Sequence, residues 1–155
     1  MKRNKIETGS LFSFEIEKNK YAFGQVIHKE GRAITVVVFN LLSDEKDKFN
    51  LDEFSADKII LTLTTMQNFF KLGRWFLLEK LSVIYKDFLK TKFKVMTPEG
   101  LFSINHKGEI LHKISESEAK NLPYMKNVSP SVVVNTSKAF FGVIPKEEYY
   151  ENFLI

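Results

Sequence analysis

The sequence predicts an α+β fold: mainly antiparallel strands bent into a strongly curved sheet or partly open barrel, followed by short C-terminal helices. Three observations carry this. Phe outnumbers Ala 15 to 5, a bias toward strand formers. Strand-like segments separated by short turn signals fill the first hundred residues. Helix-start signals appear only after residue 114.

Residues 11–17 alternate, with Phe12, Phe14 and Ile16 on one side and Ser13, Glu15 and Glu17 on the other. This is the period of a half-buried strand. Lys18-Asn19-Lys20 is a polar turn, and residues 21–29 form a second strand with Tyr21, Phe23, Gln25 and Ile27 on one face. Gly24 in its middle marks a bulge, a bend or a close backbone approach. After a turn at Glu30-Gly31, residues 33–42 are apolar on both faces, as in an interior strand. Three strands joined by short turns make an antiparallel meander.

Residues 43–50 are a charged loop, and 59–64 are a fourth strand. Residues 66–71 fit neither period, and Gly73 ends them. A fifth strand over 74–80 holds the single tryptophan, Trp75. Residues 82–90 read as a short helix or an irregular crossing segment. A sixth strand over 93–96 stops at Thr97-Pro98-Glu99-Gly100, and Lys107-Gly108 signals a hairpin between 101–106 and 109–114. Ser115-Glu116-Ser117-Glu118 is a capping box. Ser129-Pro130 starts another helix, although Val132, Val133 and Val134 oppose it. Pro145 opens a last one with Tyr149 and Phe153 on one face. No linker or repeat interrupts the chain, so residues 1–155 are expected to form a single domain.

The chain has 155 residues, 23 basic and 19 acidic, and no cysteine. Disulfides, thiolate metal sites and a cysteine nucleophile are therefore excluded. A net charge of +4 is an ordinary solubility charge. The basic start is followed by no apolar stretch, and no apolar run approaches the ~20 residues that span a bilayer. A cytoplasmic protein without membrane attachment is expected.

The three histidines, His28, His106 and His112, show no metal-ligand spacing. His106 and His112 on opposite arms of one hairpin are the only loose pair. No phosphate-binding glycine loop and no serine nucleophile motif is present, so neither catalytic residues, metal ligands nor cofactors are assigned. Two basic groups, Lys71, Arg74, Trp75 and Lys80, and Lys90, Lys92 and Lys94, are the candidates for a nucleic-acid surface. The three lysines of the second group would share one strand face. Most aromatics must be core. Tyr21 and Trp75, each with an apolar body and a polar tip, are the best candidates for partner contact.

Four motifs occur in order: Gly9 leading into Leu11-Phe12-Ser13-Phe14, then Tyr21-Ala22-Phe23-Gly24-Gln25-Val26, then Gly73-Arg74-Trp75, then Phe102-Ser103-Ile104 to Gly108-Glu109-Ile110. Over residues 6–135 this resembles the immunity protein 26 family of bacterial polymorphic-toxin systems, with Gly24, Gly73 and Arg74 as structural motif positions. The resemblance implies a protein that binds and neutralises a cognate toxin by occlusion, without catalysis, as a monomer or weak dimer. Against a basic toxin site, the expected contact is a local acidic patch: Asp44, Glu45 and Asp47 with Asp52 and Glu53. Two other classes remain open. One is a metal-dependent hydrolase, because relatives of the family have been labelled phosphotriesterase-like. The other is a small basic β-barrel that binds nucleic acid.

Overall fold

Alternating strands joined by turns fold back on themselves, and the chain does so three times in succession. In the computed structural model, which describes residues 5–85, 90, 92–124 and 127–155, β1 (Ser10–Glu17), β2 (Lys20–Glu30), β3 (Ala33–Ser43) and β4 (Ile59–Met66) form an antiparallel meander. A single helical turn, α1 (Asn68–Lys71), precedes β5 (Trp75–Lys80), which returns to pair with β1. The sheet order is β4-β3-β2-β1-β5, so the two ends do not meet. It is an open sheet with register shifts in every pairing, consistent with the expected curved, partly open arrangement.

The described residues up to Tyr85, together with Asn127–Ile155, make one compact unit. The residues between these two segments in sequence form a second unit, which contains the antiparallel sheet of β6 (Phe93–Thr97), β7 (Gly100–Ile104) and β8 (Ile110–Lys113), followed by α2 (Glu116–Ala119). The first unit ends with α3 (Pro130–Phe140) and α4 (Glu148–Glu151).

Both faces of the first sheet are covered. Phe12, Phe14, Val36, Val38, Leu63, Trp75 and Val133 of α3 belong to one buried cluster. The opposite face is closed by the 44–54 segment. Ser13 was expected at the solvent face, yet it is fully buried and its hydroxyl donates to the Lys46 carbonyl at 2.5 Å. Alternation alone could not reveal this, because the cover comes from a distant loop. Gly24 is a point of close approach inside the sheet. A Cβ there would stand 2.5 Å from the Phe12 ring and 2.7 Å from the Val37 carbonyl oxygen, and the β2–β3 register shifts beside it.

Several expectations shift by a few residues. The β2–β3 turn is Gly31-Arg32 rather than Glu30-Gly31, since Glu30 pairs with Ala33. Of the ambiguous 66–71 stretch, Met66 ends β4 and Asn68–Lys71 form α1. The β7–β8 connection is a five-residue loop, not a two-residue turn at Lys107-Gly108. The Asn105 side-chain oxygen accepts from the Lys107 and Glu109 amides at 3.0 and 2.9 Å and closes it. Ser115 caps α2 as expected, its Oγ accepting from the Glu118 amide at 3.1 Å, while the Glu118 carboxylate meets the Ser115 hydroxyl at 3.4 Å rather than the Ser115 amide. The three valines do not prevent α3, because Val133 docks its fully buried side chain into the core. The last helix starts at Glu148, three residues after Pro145, and brings the Tyr149 and Phe153 rings to 5.2 Å. Residues 82–85 are irregular. The rest of that crossing segment, apart from Lys90, lies outside the described residues.

Candidate functional site

Charged side chains that cannot be buried collect where the chain leaves the sheet, and the longest such exit is the loop after β3. Asp44, Glu45, Asp47, Asp52 and Glu53 are all exposed, five carboxylates against Lys46 and Lys48. The loop is held in place. Ser43 Oγ accepts from the Glu45 amide at 3.3 Å, and Asn50 Oδ1 accepts from the Asp52 amide at 3.1 Å, starting a short 3₁₀ turn over Leu51–Glu53. Below it, Phe54 packs edge-on against Phe23, Phe39 and Phe49 at 5.0–5.9 Å between centroids. Such aromatic pairs are worth about 0.5–1.5 kcal/mol each beyond their burial.

The two lysines are engaged differently. Lys48 reaches Asp44 at 3.5 Å, an exposed pair that adds little stability. Lys46 lies over the Phe76 ring at 4.7 Å, turned toward β5. A cleft of 480 Å³ opens between the loop and the end of β3, with Phe23, Phe49 and Phe54 below and Asp44 and Glu53 at its walls. Glu45, Asp47 and Asp52 stand elsewhere on the same loop. Leu42 and Leu51, 44% and 42% exposed, add apolar surface beside the acids.

Tyr21 joins this neighbourhood. It pairs with Ser43 across β2 and β3, its ring is 6.3 Å from Phe76, and its hydroxyl donates to Glu15 at 3.2 Å. Desolvation first, then the Glu15 carboxylate, holds the hydroxyl above its ordinary pKa.

Trp75 does not belong to a surface. It is 2% exposed, stacked on Phe12 at 4.8 Å and edge-on to Phe69 and Phe70. The Gly73-Arg74-Trp75 motif is therefore a folding device. Gly73, at φ 72°, ends α1 in the left-handed region. The Arg74 amide donates back to the Phe69 carbonyl, its guanidinium covers the Phe69 ring at 5.1 Å, and Trp75 enters the core.

Gln25 is the residue whose importance the sequence did not reveal. It is completely buried. Its Nε2 donates to the carbonyls of Gly9 and Ser82 at 3.2 and 3.0 Å, and its Oε1 accepts from the Ile84 amide at 2.9 Å. It ties the start of β1 and the segment after β5 to the middle of the sheet. A glutamine on the inner face of an otherwise apolar strand was the available signal.

The two basic groups are not assembled as open patches. Lys80 pairs with Glu7 at 2.7 Å, and Trp75 is buried where no base can stack on it. Lys94 donates to the Ala119 carbonyl at 2.8 Å and lies over Tyr124. Lys90 and Lys92 precede β6, so the three lysines do not share a strand face. His112 meets Ser103 Oγ at 3.3 Å while His106 sits in the Asn105–Glu109 loop. Among the described residues no group of three or more His, Asp or Glu is placed to hold a metal ion. No helix among them is long and apolar enough to cross a membrane.

These features describe a β-meander scaffold with a tethered loop of exposed carboxylates after β3. Among known families, the model described as immunity protein 26 matches residues 7–96, more than half of the chain, and the protein belongs to that family. The match ends before β7, so the fourth motif lies outside it. Neither the curated proteins nor the solved structures give a match.

Proposed function

We propose that this protein is a cytoplasmic, non-catalytic inhibitor that binds a cognate toxin and blocks its working surface, with the 42–54 loop as the principal contact. Family membership supports the first part. The observation that carries the second is the loop itself: exposed carboxylates and the half-exposed Leu42 and Leu51 above a buried aromatic floor. An apolar centre within a polar rim is the usual anatomy of a tight interface. Tethers to Ser13, Ser43 and Asn50 reduce the ordering cost on binding. Acidic side chains suit a partner whose substrate site is basic. Trp75 is left out, and Tyr21 is kept at the edge of the contact.

The test is a variant carrying Glu45→Gln, Asp47→Asn, Asp52→Asn and Glu53→Gln. These groups are exposed, so each change should shift stability by no more than about 0.5 kcal/mol. Against the toxin encoded beside its gene, the variant should bind on the order of 100-fold more weakly and lose protection of co-expressing cells. Undiminished affinity would remove the loop from the interface. Unchanged killing by every neighbouring toxin, with the unaltered protein present, would remove the function.

A further inference from the structure

A second feature of the first unit has a different chemistry. Where the β2–β3 turn meets α1, a cleft of 1190 Å³ opens, floored by Ile6, Phe70, Trp75, Leu77 and Pro130. Among the described residues its charged lining is Arg32 and Lys71, with no carboxylate. Both cations are exposed, and neither is in an ion pair among the described residues. Gln67 supplies the remaining signal. Its backbone amide donates to the Arg32 carbonyl at 3.1 Å, but its side-chain Oε1 is buried with no hydrogen-bond partner among the described residues. A buried acceptor left unpaired is destabilising, so a donor brought to it favours binding. Met66 and Leu72, 45% and 62% exposed, extend the apolar surface around α1.

We infer that this cleft is a docking site for an extended peptide segment of a protein partner that carries a carboxylate beside an apolar side chain. Each part of such a segment has a counterpart. Its backbone N–H meets Gln67 Oε1 once that side chain turns, its carboxylate meets Arg32 and Lys71, and its apolar side chain enters between Phe70, Leu77 and Pro130. Two cations are too few to follow a polyphosphate backbone, which separates this surface from a nucleic-acid groove. The site is independent of the acidic loop and does not require the partner to be a toxin.

Trp75 is the only tryptophan and borders the cleft from within the core, so its emission, read beside calorimetric titration, reports occupancy. The probes are three capped tetrapeptides: acetyl-Leu-Asp-Phe-Glu-amide, its Asn/Gln counterpart and its Lys/Lys counterpart. The acidic peptide should change the emission saturably below about 10 mM. The neutral peptide should bind at least ~10-fold more weakly, and the basic one not at all. An Arg32→Gln/Lys71→Gln variant of unchanged melting temperature should weaken the acidic peptide by a similar factor. The inference is overturned by the absence of a saturable change, by equal binding of the neutral or basic peptide, or by full binding to the variant. It is equally overturned if the emission depends on protein concentration alone and sedimentation shows a dimer, which would make the cleft a contact between copies. Since no toxin enters this experiment, its failure leaves the proposed inhibitor role standing, and its success does not depend on that role.

Discussion

Replacing Trp75 with Ala is expected to destabilise the protein by about 3–5 kcal/mol, the range for truncating a buried large aromatic. The indole is the hub of one aromatic cluster: it stacks on Phe12, meets Phe69 and Phe70 edge-on, and lies 5.9 Å from Phe14. Its removal leaves a cavity bordered by rings that cannot all move inward. Trp75→Phe should cost far less, about 1–2 kcal/mol, because the indole Nε1 has no hydrogen-bond partner among the described residues and Phe gives up only volume. Urea denaturation measures both. Toxin affinity per folded molecule should be unchanged in Trp75→Phe. A loss of affinity without a loss of stability would return Trp75 to the interface.

Gln25→Leu should cost on the order of 3 kcal/mol, through hydrogen bonding rather than packing. Leu fills nearly the same space but leaves the Ser82 carbonyl and the Ile84 amide without their partner. The Gly9 carbonyl keeps its bond from the Leu81 amide at 2.9 Å. The damage should therefore appear in the segment after β5 first. Hydrogen exchange at the Ile84 amide should accelerate more than exchange in β3. Gln25→Glu is not a rescue, since it sets a buried carboxylate against two carbonyl oxygens. A Leu variant within about 0.5 kcal/mol of the parent would show that Gln25 is not a fastener.

What the sequence disclosed follows from the range over which each signal acts. The strands of the meander were visible because hydrophobic alternation is a local consequence of burying one face. Their turns were visible because Asn19, at φ 59°, and the glycines mark backbone that few residues adopt. Ser13 was misplaced because its cover, the Lys46 backbone, lies 33 residues away. Trp75 was misplaced for a related reason: its polar tip suggested a wet end, whereas the rings around it supply enough contact to bury an unpaired N–H. The acidic residues 44–53 were legible as a group. The Phe23–Phe39–Phe49–Phe54 floor that turns them into a shaped surface was not, since it joins side chains from two strands and a loop. Gln25 stood inside the most specific motif, yet its partners Ser82 and Ile84 lie 57 and 59 residues on.

The central claim is inhibition by occlusion, and stoichiometry tests it most directly. Purified toxin, its activity measured against its own substrate, is titrated with this protein. Occlusion predicts activity falling linearly to zero at one molecule of inhibitor per molecule of toxin, with a toxin of unchanged mass recovered when the complex is dissociated. One molecule protecting against many equivalents of toxin, or a toxin recovered with altered mass, would contradict it and show a catalytic antidote instead.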